Sequence, residues 1–378
     1  MAPLLRPRYS LPKEKFSAYF GPLKSQSYND TTSGPRGGGG SHHSLSTIAW
    51  NPLGTLIATG AVDKTLRVWN PEKPNVKFST ELKGHASPIE KVAFNPVKDA
   101  ELCSVSSDGA VKIWDVRTKA CVNEVKVSGH ATSLAWAPDG SSLLVGSKVG
   151  VLQVPNSRIH RLTVAKNGDL FHILPSQSSI ISTHHQPVGT NQMAFCWSGD
   201  KVFLPTNEGR IRILSYPDFE PVLHVNYAVP EGESTEFTLK GHTASCLTAE
   251  LSPTGKYLAT GGADSIISLF DTKDWICQRT VTRMVGPVKS ISTSPRLLTG
   301  VVSLLNTSPG FTFDGSYVVG GCEEGGSLEV THTETGEHVH TFKTAGTCEA
   351  VAWAPTRYCL AYSDLGVLRI IGVDTDRK

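Results

Sequence analysis

Long apolar runs, paired cysteines and an excess of one charge are all missing from this sequence of 378 residues. Its longest apolar stretch, around residues 297–305, is far shorter than the roughly 20 residues that cross a bilayer, so we predict no membrane partner. None of the eight cysteines has C-x-x-C spacing, which argues against a zinc or redox motif. Cys103, Cys246 and Cys359 fall inside apolar strand patterns, where a thiol behaves as a small hydrophobe, so we predict a reducing compartment. The 36 basic and 34 acidic residues leave a net charge of +2, which gives the whole chain no broad electrostatic basis for binding nucleic acid.

Motifs for catalysis are also missing. The sequence has no G-x-x-x-x-G-K-[ST], no H-E-x-x-H and no G-x-S-x-G. His338 and His340 alternate along one predicted strand, but no third ligand has a spacing suited to a metal. We therefore predict that the protein is not an enzyme and that it binds no metal, no cofactor and no small-molecule substrate.

The sequence does contain a short element that recurs seven times. In most copies, alternating apolar residues lead to an aromatic residue and then to a Pro or Asp-Gly turn. The copies are AWNPLG (49–54), AFNPVK (93–98), AWAPDG (135–140), FCWSGD (195–200), ELSPTG (250–255), FTFDGS (311–316) and AWAPTR (352–357). The first turns, at 52, 96 and 138, are 44 and 42 residues apart, close to the ~40–45-residue period of a four-stranded propeller blade. Short alternating runs between turns indicate strands, so the predicted fold class is all-β.

Two dipeptides connect the repeat to a known family. Gly-His precedes several copies, as at Gly84-His85 and Gly241-His242, and Trp-Asp closes a third strand at Trp114-Asp115. These residues resemble the WD40 repeat family, which implies a seven-bladed WD40 β-propeller over residues 44–378. Residues 1–43 would then form a mostly disordered, basic N-terminal extension. Six basic and two acidic residues give the stretch 1–47 a net charge of +4.

The last copy leaves room for only three strands before the sequence ends. Because an open strand edge invites aggregation, we expect the N-terminal extension to supply the fourth strand of the last blade. The candidate segments are Lys15–Phe20 and Lys24–Tyr28, and the glycine-rich stretch 34–41 would be a flexible link to the propeller.

The resemblance also implies structural side-chain networks inside the blades. In the WD40 family, the Gly-His histidine bonds an aspartate in the turn between the second and third strands, and a Ser or Thr connects it to the tryptophan indole. The matching residues are His85, Ser104, Asp108 and Trp114 in one set, His242, Thr260 and Asp264 in a second, and Thr59, Asp63 and Trp69 in a third. Phe270 replaces the tryptophan of the second set, and His42 or His43 lies near the histidine position of the third. His130 lies only six residues before Trp136, so we do not expect it to play this role.

Two segments, 149–168 and 293–310, break the spacing of the repeat. Each carries about 18 residues more than a 42-residue unit. The first falls in a turn, where loops are tolerated, whereas the second interrupts an innermost strand. Retained introns in the gene model and genuine family-specific loops both explain the excess, and the sequence leaves the two open.

Three segments resemble a narrower family, the WD40 subunits of the THO complex. They are NEGRIRILSYPDFEPVLHV at 207–225, GKYLATGGADSIISLFDTKDWICQRTVTRMVGPVKSIS at 255–292 and SSDGAVKIWDVRTKACV at 106–122. The resemblance implies a non-catalytic nuclear scaffold of the THO/TREX complex, which couples transcription to mRNA packaging and export. It names the large helical THO/TREX subunits as partners. RNA would be contacted at most indirectly or through the basic N-terminal tail.

The run Ile213–Pro217 stands where an ordinary repeat has Trp-Asp. We therefore predict that Tyr216, Pro217, Asp218 and Phe219 bind a partner, with the alternative that this segment only fills a blade edge. The alternative function for the whole protein is that of a WD40 substrate adaptor or a scaffold of another nuclear complex, such as a ubiquitin ligase or a chromatin complex. Adaptors usually carry a recruiting domain, and none is visible in the 43 residues before the predicted propeller.

Overall fold

The computed structural model describes residues 10–28, 45–75, 78–148, 168–225, 234–284, 310–321, 326–348 and 350–373. Within these ranges the chain forms one α-helix and thirty strands. In chain order they are α1 (Lys13–Phe20), β1 (Gln26–Tyr28), β2 (Leu45–Trp50), β3 (Ile57–Ala61), β4 (Leu66–Trp69), β5 (Thr80–Leu82), β6 (Ile89–Phe94), β7 (Glu101–Ser106), β8 (Ala110–Asp115), β9 (Ala120–Lys126), β10 (His130–Trp136), β11 (Leu143–Lys148), β12 (Gly168–Leu174), β13 (Ser179–His185), β14 (Ala194–Phe195), β15 (Lys201–Pro205), β16 (Arg210–Ser215), β17 (Leu223–Val225), β18 (Ser234–Glu236), β19 (Thr238–Lys240), β20 (Cys246–Leu251), β21 (Tyr257–Gly262), β22 (Ile267–Asp271), β23 (Cys277–Val281), β24 (Gly310–Phe311), β25 (Tyr317–Gly321), β26 (Ser327–His332), β27 (His338–Lys343), β28 (Val351–Trp353), β29 (Leu360–Asp364) and β30 (Val367–Ile371).

The described strands form seven four-stranded antiparallel sheets, which are the blades of a propeller. Blades 1, 2 and 3 are β2–β5, β6–β9 and β10–β13. Blade 4 is β14, β15, β16 and β19, with the separate hairpin β17–β18 inserted before its last strand. Blades 5 and 6 are β20–β23 and β24–β27, and blade 7 is β28–β30 together with β1. The predicted all-β, seven-bladed propeller is confirmed.

The repeated turn explains why successive blades pack side by side. Gly140 ends the turn between β10 and β11 with a φ of +68°, a conformation that side chains other than glycine rarely adopt. A Cβ on Gly140 would also lie 2.3 Å from Oδ1 of Asn95 in the neighbouring blade. The Asn95 amide donates to the Gly140 carbonyl at 2.9 Å. The Asp-Gly signal in the sequence therefore marks both a local turn and a blade-to-blade contact.

The N-terminal extension completes the last blade. Strand β1 pairs with β30 in an antiparallel register, with Gln26 opposite Ile370 and Tyr28 opposite Leu368. The Tyr28 ring is buried against Trp69 of blade 1, with ring centroids 5.9 Å apart, and its hydroxyl donates to the Pro71 carbonyl. Of the two candidate segments, Lys24–Tyr28 therefore supplies the strand.

The other candidate, Lys15–Phe20, is not a strand, because it lies in α1. Phe16 and Phe20 are four residues apart, so both rings fall on one face of the helix. Both rings are buried in the cluster of Tyr317, Phe342 and Trp353 from blades 6 and 7. The Tyr317 hydroxyl donates to the Leu11 carbonyl, and the Leu11 amide donates to the Tyr358 hydroxyl at 2.9 Å. The extension thus packs across the last two blades before it pairs with β30.

The two segments that break the repeat lie outside the described residues except at their ends. Lys148, just before the first segment, and Gly168, at its end, face each other across β11 and β12. Gly310, at the end of the second, begins β24, which has only two residues where the innermost strands of blades 1, 2 and 5 have six. The glycine-rich stretch 34–41 is also outside the described residues. Among the helices that are described, none is long and apolar enough to cross a membrane.

Candidate protein-interaction surface

The predicted network of blade 5 is assembled around His242. Its side chain is fully buried; Nδ1 lies 3.0 Å from Oδ1 of Asp264, and Nε2 lies 2.9 Å from Oγ1 of Thr260. Asp264 also accepts the backbone N–H of Thr243 at 2.9 Å. Phe270 is buried where other blades have tryptophan, and its ring donates no hydrogen bond. The network therefore ties the loop before β20 to the turn between β21 and β22.

The matching network of blade 2 is only partly assembled. Nε2 of His85 lies 2.6 Å from Oγ of Ser104, which also accepts the Trp114 indole N–H at 2.8 Å. The predicted bond between His85 and Asp108 is wrong, because the buried Nδ1 of His85 has no partner. Asp108 instead accepts the Ser106 hydroxyl at 2.6 Å and the Ala110 amide at 3.3 Å, so its carboxylate stays within its own turn.

The residue two positions before the aspartate explains the difference between the two blades. Blade 5 has Gly262 at this position, and a Cβ there would lie 2.3 Å from Nδ1 of His242 and 2.4 Å from Oδ1 of Asp264. The bond between His242 and Asp264 therefore occupies space that any side chain would fill. Blade 2 has Ser106 at the same position, and its hydroxyl captures Asp108.

The predicted bond between the threonine and the tryptophan of the blade 1 set is present. The Trp69 indole donates to Oγ1 of Thr59 at 2.9 Å. Asp63 accepts the hydroxyl of Thr65 at 2.6 Å and its backbone N–H at 3.1 Å. His42 and His43 lie outside the described residues.

Burial of His85 makes the stability of the protein sensitive to pH. Desolvation, assisted by the charge of Lys112, lowers the pKa of His85 to about 4, against about 6.5 in an unfolded chain. Because the unfolded chain binds the proton more readily, stability is lost as the pH falls from about 6.5 towards 4. We expect acidification from pH 7 to pH 5 to cost about 2 kcal/mol through this residue alone.

Denaturant titrations of the wild type and the His85→Gln variant at both pH values measure this contribution. The loss of stability between pH 7 and pH 5 should be smaller in the variant by about that amount, since glutamine does not titrate. An equal loss in both proteins would mean that His85 is not buried in its neutral form.

The other histidines of interest do not converge on a metal site. Nε2 of His338 lies 2.8 Å from Oε2 of Glu329, whereas Nδ1 of His340 lies 3.1 Å from the Ser17 hydroxyl of α1. Nε2 of His130 lies 3.1 Å from Oε1 of Glu90, a contact unlike those of His85 and His242. In the part of the chain that the structure describes, no group of three or more His, Cys, Asp or Glu residues could hold a metal ion.

The centre of the ring contains two ionisable side chains in a small cavity. Lys91 of β6 and Glu250 of β20 both line a space of about 130 Å³ together with innermost strands of blades 1, 6 and 7. Burial lowers the pKa of Lys91 to about 8 and raises the pKa of Glu250 to about 7, and each charge opposes the shift of the other. Small-molecule pockets usually measure ~300–1,000 Å³, so this cavity does not fit a typical small-molecule ligand.

Two residues of the predicted partner-binding segment, Tyr216 and Phe219, make contacts inside the propeller. The Tyr216 hydroxyl lies 2.6 Å from Oγ of Ser142 and 2.9 Å from Nε2 of His172, both in blade 3. Phe219 is buried, with its ring centroid 4.3 Å from that of His184. Tyr216 and Phe219 therefore fill the junction of blades 3 and 4, which agrees with the alternative that this segment fills a blade edge and leaves partner binding by these two residues a prediction. Pro217 and Asp218 are exposed, and a partner contact there stays a prediction.

One face of the ring carries exposed apolar side chains that the sequence reasoning missed. We call it the turn face; it is built by the connections between the first and second strands of the blades. In five of the seven blades, the turn glycine lies against a turn residue of the neighbouring blade, as Gly255 does against Trp197. Leu53, Val97 and Trp197 are 56%, 65% and 49% exposed here. Trp197 was the signal in the sequence that could have revealed this surface, because five of the other six turns have proline at that position.

Comparisons with known proteins agree with this architecture. The family model described as "WD domain, G-beta repeat" matches residues 39–70, 76–115 and 233–271. THO complex subunit 3 of Arabidopsis thaliana is 29% identical over 343 residues, which cover 87% of this chain and 92% of that protein. WD repeat-containing protein AAC3 of Dictyostelium discoideum is 30% identical over 278 residues, 68% of this chain but only 52% of that protein. The solved β-propeller domain of Myceliophteria thermophila Cps50 (Swd1) has a TM-score of 0.64 at 17% identity and covers 88% of this chain and 97% of that one.

Proposed function

We propose that this chain, which carries WD40 repeats and folds as a WD40 propeller, is a non-catalytic scaffold subunit of a THO/TREX complex in the nucleus. In that role it couples transcription to the packaging and export of mRNA by holding other subunits together. Its partners are the large helical subunits of the complex, and RNA contact is indirect or made by the basic N-terminal tail.

The observation that carries this proposal is the extent of the similarity to THO complex subunit 3. The aligned region covers 87% of this chain and 92% of that protein, so the likeness extends over most of both chains. A short shared repeat would match in many propellers, as the 27% identity to the transcriptional corepressor LEUNIG_HOMOLOG of Arabidopsis thaliana does over only 143 residues, 18% of that protein. An identity of 29% sustained over this length therefore favours a THO scaffold over a scaffold of another nuclear complex.

The geometry supports a protein partner. The His–Asp and Trp–Ser contacts lie within single blades and tie loops and turns to their sheets, so they supply structure to the ring and do not converge on a reacting centre. The net charge of the whole chain is only +2, whereas binding to a phosphate backbone depends on clustered Lys and Arg. Propeller faces built from rigid turns suit broad protein contacts of ~800 Å² per partner.

Affinity purification of the tagged chain from nuclear extract tests the proposal. We expect the THO subunits to co-purify in stoichiometric amounts, in moderate salt and after nuclease digestion, because the contacts are between proteins. Loss of these subunits after digestion would replace the scaffold with an RNA-tethered role. Recovery of a ubiquitin ligase or chromatin complex instead would favour the alternative function.

A further inference from the structure

We propose that a pocket on the turn face, between blades 4 and 5, binds an arginine or lysine side chain presented by a segment of a partner protein. The inference deepens the proposed scaffold function and rests on it in assigning the occupant to a protein. It adds the chemistry of the contact and its place on the ring.

The pocket has aromatic walls contributed by two neighbouring blades. Trp197, from the turn between β14 and β15, and Trp275, from the turn between β22 and β23, line it together with Phe203 and Leu251. Its volume is about 220 Å³, which is below the ~300–1,000 Å³ of typical small-molecule sites. A space of this size accommodates one side chain of a peptide and does not enclose a larger ligand.

Both tryptophans are held in place by the propeller. The Trp197 indole N–H donates to the Ser252 carbonyl of blade 5 at 2.7 Å, while half of the side chain remains exposed. The Trp275 ring packs on Phe203, with ring centroids 5.4 Å apart. Large aromatic surfaces that are already ordered lose little conformational entropy on binding, which is why such side chains dominate the energetic centres of interfaces.

The surroundings of the pocket carry negative charge. Asp200 and Lys201 both line the pocket, and their charges offset each other. Asp218 and Glu220 in the adjoining turn of blade 4 add two negative charges, and Lys256, next to the lining residue Gly255, adds one positive charge. The turn between β22 and β23 adds one further negative charge from Asp271, Lys273 and Asp274. The Tyr216 amide donates to the Asp200 carbonyl at 2.8 Å, which joins the start of the turn with Asp218 and Glu220 to a lining residue of the pocket.

Asp200 keeps its negative charge at the mouth of the pocket. Hydrogen bonds from Cys196, Lys201 and Ser198 hold the pKa of its carboxyl well below the usual range. Its Oδ2 also lies 2.5 Å from Nζ of Lys201, which lines the same pocket, so the net negative charge comes from the carboxylates of the adjoining turns. The carboxylates attract a cation through their charge, and the indole faces attract it through cation–π contact. The same carboxylates repel a phosphate backbone.

Peptide titrations monitored by the NMR signals of the tryptophan indole N–H groups test the pocket directly. The probes are Ac-Gly-Arg-Gly-Arg-Gly-Arg-Gly-NH₂, the same peptide with lysine, and the same peptide with citrulline, which has the shape of arginine without its charge. We expect the signals of Trp197 and Trp275 to shift with the charged peptides and not with the citrulline peptide. Comparison of the affinities of the arginine and lysine peptides shows whether the pocket prefers the planar guanidinium group to the ammonium group.

Trp197→Pro is the sharpest variant, because proline is the residue that five of the other six turns carry at this position. It removes the indole and keeps the turn, so affinity for the charged peptide should fall at least about tenfold with the thermal midpoint nearly unchanged. Leu53→Ala, an equally exposed apolar change on the turn face of blade 1, is the matched control and should bind normally. Asp218→Asn with Glu220→Gln, at two exposed side chains, should weaken binding and reduce its dependence on salt.

Equal binding of the citrulline and arginine peptides, or unchanged affinity in both the Trp197→Pro and the Asp218→Asn/Glu220→Gln variants, overturns the inference. Co-purification separates it from the proposed function. If THO subunits are recovered equally with the wild type and with Trp197→Pro while the peptides do not bind, the scaffold stands and the pocket assignment fails. If the charged peptides bind but THO subunits are never recovered, the pocket stands and the THO assignment fails.

Discussion

A chain that begins at residue 29 is expected to lose its stable monomeric state. The deletion removes β1 and leaves the edge of β30 with unpaired backbone groups, which pair readily with another chain. It also removes Phe16, Phe20 and Tyr28, which are all buried in the intact protein. Size-exclusion chromatography should show dimers or aggregates, and the cooperative unfolding transition should move to much lower denaturant concentration or disappear. A monomer as stable as the wild type would mean that the N-terminal segment does not close the ring.

A single substitution gives a graded form of the same test. Phe20→Ala empties a site that contacts Phe342 and Trp353, with ring centroids 5.2 and 5.8 Å away, and should lower the free energy of unfolding by about 3–5 kcal/mol. Lys15→Ala is the control on the same helix, because Lys15 is exposed. It should cost less than about 1 kcal/mol. Similar losses in the two variants would show that α1 is not packed through its Phe16–Phe20 face.

The contrast between the blades and α1 shows what a repeat reveals and what it hides. Each repeat contains a tight turn such as that of Gly140, which depends only on nearby residues. Seven copies of the repeat therefore predicted seven blades without knowledge of any distant contact. Helix α1 occurs once and has eight residues, fewer than the ~11 needed to recognise helical periodicity. Its partners Tyr317 and Trp353 lie about three hundred residues away in the sequence. The spacing of Phe16 and Phe20 places both rings on one face of either a helix or a strand, so it could not decide between the two.

The contacts of the candidate site could be predicted only where the position of a residue in the repeat is enough to fix its partner. The repeat placed Asp108 and Asp264 at equivalent positions, but Ser106 and Gly262 beside them decide which partner each carboxylate takes. Tyr216 and Phe219 stood out as unusual residues, yet their surroundings in blade 3 are more than thirty residues away in sequence and could not be read from it. Trp197 is visible in the sequence as a departure from proline, but its pocket depends on Trp275 of the next blade.

The same comparison predicts unequal effects for two aspartates that the repeat makes equivalent. Asp264→Ala should destabilise the protein by roughly 2–3 kcal/mol, because it leaves the fully buried Nδ1 of His242 without a partner. Asp108→Ala should cost less than about 1 kcal/mol, since Asp108 bonds only within its own partly exposed turn and His85 already lacks this contact. Denaturant titration of both variants at pH 7 provides the measurement, and equal losses would contradict the two arrangements.

Gly262→Ala tests the cause of that difference, because the new Cβ would lie 2.3 Å from Nδ1 of His242 and 2.4 Å from Oδ1 of Asp264. Forcing these groups apart should cost about as much as Asp264→Ala, since both changes break the same bond. Combined with Asp264→Ala, the substitution should then cost clearly less than the sum of the two single changes, as expected for residues that share one contact. Ser106→Gly in blade 2 is the matched control; it opens the corresponding space and should cost no more than about 1 kcal/mol. Fully additive losses would show that Gly262 does not act through the bond between His242 and Asp264.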